Sequence, residues 1–412
     1  MKETDLTQGK IFQKLIKFSL PMIAGNLLQQ IYNLVDTLIV GRCLGADALA
    51  AVGSAYTLMI FITSIIIGLC MGSGAFFSED YGAGNQKKLK EDIWLSFWFI
   101  LSVSVVICAI IYPGMNFILW ILQTPKELME LTREYVTVVF VGIIFVFLYN
   151  FFAYLLRSMG NSFMPLVFLA ISSVLNIVLD IWFVAGLNMG VGGAALATVI
   201  AQAVSGLGLL IYSMIKIPVL KNNHERTGFN IQRLKEIIIN DVATGIQQSV
   251  MNFGILMIQG LVNSFGITIM ASFAAAVKID TIAYMPAQEF GNAYSLFVSQ
   301  NYGADEKDRI RKGTHISFVI SALFCVVISL MIFIFAENLM RIFIDADEIR
   351  IIAEGTRYLK IEGSMYVGIG VLFLWYGYFR GINKPHISLL LTVISLGTRV
   401  ILSYTLAPHT PL

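Results

Sequence analysis

The sequence is short of charge. Only 13% of its 412 residues are Asp, Glu, Lys or Arg, against about 25% in a soluble globular domain. Cysteine is scarce as well. Cys43, Cys70, Cys108 and Cys325 lie scattered through apolar stretches with no CxxC pair, so neither a disulfide framework nor a zinc site is indicated. The four histidines, His224, His315, His386 and His409, fall at or beyond the ends of apolar stretches and are not spaced as metal ligands. HExxH, GxxxxGK[ST] and GxSxG are all missing, and with them the usual signatures of zinc hydrolases, P-loop ATPases and serine hydrolases. The chain is therefore not expected to be an enzyme, and work done by it must draw on something other than ATP that it hydrolyses itself. A net charge of +2 with no basic, aromatic-interleaved stretch gives nucleic acid no footing.

What is there instead is apolar residue in long blocks. Hydrophobic residues make up 57% of the chain and the mean hydropathy is +0.77. A soluble protein of this size would need an implausibly large core, whereas blocks of about 20 residues match the length of a bilayer-spanning helix. Spans are expected at 17–41, 54–78, 93–120, 133–156, 165–187, 191–216, 241–262, 267–298, 314–336, 351–379 and 385–407. The first block is itself a full span, with no separate cleavable signal ahead of it. Between the sixth and seventh lies a polar interruption at 217–240, which reads as a linker with a short amphipathic segment. This divides the chain into an N-terminal six-helix lobe at 1–216, a cytoplasmic linker at 217–240 and a C-terminal lobe at 241–412. With the N-terminus cytoplasmic, only Arg42, Lys126, Arg133, Arg341 and Arg350 fall in outer loops, as the positive-inside rule asks. Trp94, Trp120 and Trp182 stand near span ends, as interface anchors do.

The halves repeat. Tyr81-Gly82-Ala83-Gly84 follows the second span with Lys87, Lys88 and Lys90 behind it, and Tyr302-Gly303-Ala304 follows the eighth with Lys307, Arg309 and Arg311 behind it. Arg157-Ser158-Met159-Gly160-Asn161 leads to Pro165 before the fifth span, and Arg380-Gly381-Ile382-Asn383 leads to Pro385 before the eleventh. Each pair sits on one proposed side, so the repeat is parallel, about an axis along the membrane normal, a plan shared with alternating-access carriers. The expected fold class is thus an all-α polytopic membrane protein of two parallel-repeat helical lobes. The second lobe holds five spans to the first's six, and a twelfth is expected in a complete repeat.

At these residues the chain resembles the multidrug and toxic compound extrusion (MATE) family. The likeness is carried by Pro21-Met22-Ile23, Gln29-Gln30, Val35-Asp36-Thr37, Val40-Gly41-Arg42, Leu44-Gly45 and Ala50-Ala51-Val52-Gly53. Gly68 to Gly74, Tyr81-Gly82-Ala83-Gly84-Asn85 and Gln300-Asn301-Tyr302-Gly303-Ala304 extend it. The resemblance implies export of amphiphilic organic cations or drugs against inward sodium or proton flow, with no cofactor beyond that coupling ion. It also implies a bacterial cytoplasmic (inner) membrane and a monomer, with the lipid bilayer and small organic cations as its partners. A flippase for lipid-linked oligosaccharide, from the same wider superfamily, is the alternative. Such a flippase would be expected to line its cavity with basic residues, whereas the first lobe's buried charges are acidic.

An ionisable group at the bilayer centre costs about 2.5–3.5 kcal/mol on insertion scales. Asp36, Asp180, Lys278, Asp280, Glu289 and Arg399 all fall inside spans. Lys278 and Asp280 are two apart and do not face one another on a helix, so each is expected to pair elsewhere, and Arg399 reads as a structural or gating cation. Glu289, with Gln259 as a weaker companion, is a candidate for a cavity that attracts cationic drugs. Pro21 removes one backbone hydrogen bond from the first helix, and in the family the matching proline is where that helix bends. Gly68, Gly72 and Gly74, and Gly190, Gly192 and Gly193, permit close helix packing.

The sharpest candidate is a cation or proton site made of Asp36, Asn176, Asp180 and Thr198. Asn176 and Asp180 are four apart and share a helix face. Counting at about 1.5 Å per residue from the outer span ends, Asp36 lies about 9 Å deep, Asp180 about 12 Å, Asn176 about 18 Å and Thr198 about 10 Å. Three helices thus bring oxygen-bearing side chains to similar depth in one lobe. The same four residue types resemble the ion-binding residues of the family's DinF-like branch.

Overall fold

The computed structural model describes residues 5–121, 125–221 and 230–407. The side chains of Trp120 and Lys126, together with Asn223, His224 and His409, lie outside the described residues. Helices dominate because long apolar segments in lipid must satisfy every backbone group internally. They are α1 (Ile11–Leu44), α2 (Ala46–Gly82), α3 (Gln86–Ile121), α4 (Lys126–Val141), α5 (Ile143–Ser158), α6 (Phe163–Asp180), α7 (Gly190–Lys216), α8 (Pro218–Lys221), α9 (Ile231–Asn263), α10 (Ile267–Gly303), α11 (Lys307–Met340), α12 (Ile349–Gly363), α13 (Tyr366–Gly381) and α14 (Pro385–Leu406).

Among the described residues, seven helices are long and apolar enough to cross a membrane alone, and α4 with α5, bent by 43° at their junction, make an eighth if the pair is one span. α1 and α9 are more polar than these, α1 carrying Asn26, Gln29, Gln30, Asn33 and Asp36 and α9 carrying Asn240, Asp241, Gln247, Gln248 and Gln259. The expected fourth and tenth spans are each broken. The first break falls at Gly142, the second at Ser364-Met365 between α12 and α13. Met365 stands 223 residues after Gly142, the same interval that separates Arg380 from Arg157. At Gly142 the end of the Gln202 side chain fills the space a Cβ would need.

One boundary moves. Residues 231–240, expected in the linker, are the first turns of α9. Two features start the helix there. The Asn230 side chain accepts hydrogen bonds from the backbone N–H groups of Gln232 and Arg233, the usual work of an N-cap. Ile237 is then fully buried and Arg233 pairs with Asp92 of α3 at 2.5 Å.

α2 is the central helix. It packs on α1, α3, α4 and α5 of its own half and on α9 and α10 of the other, and its most apolar stretch is 67% buried, against 11% for α14 at the periphery. Small residues let it approach its neighbours. Gly68 lies on Gly245 and Thr244 of α9, Gly72 on Asp241 of α9, and Gly74 on Tyr154 of α5.

Candidate functional site

α1 and α6 pack together in the first half, and α7 packs on α6. This brings the Asp36 and Asp180 side chains within hydrogen-bonding reach of each other. Asp180 is wholly buried and Asn176, one turn earlier, is 2% exposed. Asp36 Oδ1, both carboxylate oxygens of Asp180 and both amide atoms of Asn176 are buried without a hydrogen-bond partner. Buried polar atoms are nearly always paired, so four oxygens and one amide nitrogen left unpartnered on three neighbouring residues mark this place out. Thr198 is half-buried and its hydroxyl donates to the Ala194 carbonyl at 3.1 Å.

Asp180 also ends the regular part of its helix. Ile181–Gly186 continues as a π-helical turn, a wider winding that occurs disproportionately at functional positions. Tyrosines close the site. Tyr32 and Tyr135 lie within electrostatic reach of both carboxylates and of Tyr56, and Asn33 donates to the Tyr56 hydroxyl at 3.4 Å. The sequence reading did not single these out. Tyr32 was accessible to it, standing one turn before Asp36 on the same face. Tyr135 was not, since only the fold carries α4 to α1.

The second half is built differently at the matching place. Tyr358, 223 residues after Tyr135, lies beside Arg399, and Arg399 pairs with Glu362 at 3.6 Å. Tyr366 donates to Asp280 at 2.7 Å. This half thus carries its own cation where the first offers two carboxylates. Lys278 and Asp280 were each expected to pair elsewhere; Asp280 is buried and does so with Tyr366, while Lys278 is exposed. Glu362 lies on α12, the most polar of the span-forming helices, where a charge does not stand out in the sequence.

Glu289 stands between the halves. Its Oε1 accepts from Asn26 of α1 at 2.9 Å and from Asn292 at 3.2 Å. Asn292 accepts in turn from Arg380 at 2.9 Å, whose guanidinium also reaches Ser295 at 3.1 Å and the Met71 sulfur of α2. Gln259 is half-buried on α9. Pro21 lies inside α1, which stays helical across it from Ile11 to Leu44. Asn26 and Asp36 are ten residues apart on α1, about 15 Å along its axis, so one helix carries contacts to both sites. Among the described residues no group of three His, Cys, Asp or Glu side chains is placed to hold a metal.

Fold and site together define a multi-span membrane protein of two like halves, with a buried carboxylate pair in the first. The MatE family model matches it twice, over residues 21–182 and 243–405, and the chain belongs to that family, a family of transporters. It is 32% identical over 401 residues to the probable multidrug resistance protein YpnP of Bacillus subtilis, covering 96% of this chain and 88% of that one. It is 26% identical to the probable multidrug resistance protein NorM of Thermotoga maritima, covering 94% and 84%. A crystal structure of MATE in the bent conformation superposes with a TM-score of 0.92 at 23% identity, covering 100% of this chain and 91% of the other.

Proposed function

We propose that the protein is a secondary active antiporter that exports amphiphilic organic cations or drugs in exchange for inward sodium or protons. In this reading it sits in a bacterial cytoplasmic membrane with its N-terminus in the cytoplasm. The observation that carries the coupling is the Asp36–Asp180 pair with Asn176 beside it. Two carboxylates this close repel unless a positive charge lies between them, and their unpartnered oxygens suit either a proton or a hard cation. Asp36, Asp180 and the Asn176 amide oxygen are the groups that take up the transported ion. Its charge ties α1 to α6.

Drug recognition is assigned to the polar ground between the halves. Glu289 offers a carboxylate there, held by Asn26 and Asn292. Because α1 bears both Asp36 and Asn26, a change of α1 driven at the ion site reaches Glu289 directly. Multidrug names among the relatives agree with this, and the four-residue pattern supports a place in the DinF-like branch. Efflux of a fluorescent cation from reconstituted vesicles, with sodium and proton gradients imposed one at a time, tests the reading. Acceleration by one gradient supports it. Equal rates with and without either gradient overturn it.

A further inference from the structure

The seam where α9 of the second half crosses α2 of the first contains a carboxylate that the proposed transport reaction does not use. Asp241 is wholly buried. Its Oδ2 accepts from the Ser73 hydroxyl of α2 at 2.5 Å, while Oδ1 has no partner. The seam is tight at this point. A Cβ added to Gly72 would meet Asp241 Oδ1 at 2.6 Å and its Cα at 2.8 Å, and one added to Gly68 would meet Thr244 and Gly245. Asn240 donates across the same seam to the Gly72 carbonyl at 3.1 Å.

Among the described residues no cation is paired with Asp241, the nearby Arg380 guanidinium being engaged by Ser295, Asn292 and Met71. Arg233, two turns earlier on α9, is bound to Asp92 at 2.5 Å and Glu236 at 2.8 Å and stacks on Phe76 at 4.4 Å, and Lys88 is paired with Asp80 at 3.1 Å. The groups that do face Asp241 are Asp92 of α3, of like charge, and the Cys70 thiol of α2. Further along α9, α14 enters at the Gln247–Thr392 hydrogen bond and α10 at Gln248 and Gln288, none of them titratable. An ionised carboxylate enclosed with one hydroxyl donor and no counter-charge is costly, whereas the protonated acid is tolerated.

We infer that Asp241 is a proton-binding site of the inter-half seam. Closing α2 against α9 takes one proton from water at this end of the bundle onto the Asp241 carboxylate. Parting the helices returns that proton to the same water. The proton is not carried across the membrane. It makes the balance between the closed and parted seam depend on the pH at the end where Lys87 and Lys235 lie. The inference rests on the proposed function only in that the halves part along this seam.

Spin labels at Lys87→Cys and Lys235→Cys, both exposed and on opposite sides of the seam, report its width by pulsed electron paramagnetic resonance in nanodiscs, with Cys43, Cys108 and Cys325 replaced by serine and the buried Cys70 kept. The longer separation should gain population between pH 6 and pH 8. Asp241→Asn, which imitates the protonated acid, should hold the short separation at both values. Gly72→Ala, which wedges the seam, should hold the long one at both. Asp36→Asn should leave the pH response in place, separating this site from the proposed ion site. A distance distribution that ignores pH in the parent overturns the inference. So does an Asp241→Asn protein that still responds, or loss of the response in Asp36→Asn.

Discussion

Gly82 and Gly303 are matched across the molecule's internal repeat. Gly82, at the end of α2, rests on the backbone of Gln300 in α10, and Gly303, at the end of α10, rests on the backbone of Glu79 in α2. Each contact is the other shifted by 221 residues, so the two halves meet here about a pseudo-twofold axis. No side chain larger than hydrogen fits at either position without pushing the helices apart.

Gly82→Ala and Gly303→Ala should therefore destabilise the protein by similar amounts, about 1–3 kcal/mol each as for other overpacked contacts. Thermal unfolding followed by size-exclusion chromatography in detergent checks this. A midpoint equal to that of the parent in either variant would contradict the packing.

Arg233 holds three acidic side chains, with Asp92 fully buried and Asp80 nearly so. Breaking a buried pair by removing one partner costs about 3–5 kcal/mol. Arg233→Ala should lower the thermal midpoint sharply, and adding Asp92→Asn should restore part of the loss. A single variant as stable as the parent would show that water already reaches the cluster.

The fold was legible where one segment alone decides it. Apolar blocks gave spans that fall within the helices, apart from the edges at Leu187 and Ala407 and the breaks in the fourth and tenth, and the Tyr-Gly-Ala repeat marked the two glycines at which the halves meet. The start of α9 was not legible, because its first turns are polar and become helical through the Asn230 cap and the Arg233–Asp92 pair, and the latter exists only once α3 is in place. The approach of Asp36 to Asp180 was readable from their similar depth along two helices. The tyrosine wall around them was not, since Tyr135 arrives from α4, and neither was the Glu362–Arg399 pair, whose members are far apart in the sequence.

Orientation can be read with one cysteine. Lys235 is exposed at the start of α9, on the side the basic residues assign to the cytoplasm. Lys235→Cys should resist an impermeant thiol reagent in intact cells and react in inverted vesicles. Labelling from outside would reverse the topology.

Glu289→Gln keeps the hydrogen bond from Asn26 while removing the charge. Export of cationic drugs should fall several-fold more than export of neutral ones. An equal fall for both classes would assign Glu289 to holding α1 against α10 rather than to attracting substrate.

The most direct measurement is gradient-driven efflux from proteoliposomes containing the parent, Asp36→Asn or Asp180→Asn, with folding verified by monodisperse elution. Both variants should insert and elute as the parent does, yet lose acceleration by the sodium or proton gradient that drives the parent. Either variant exporting drug at the parental rate, with the parental dependence on the gradient, would contradict the assignment of the ion site to this carboxylate pair.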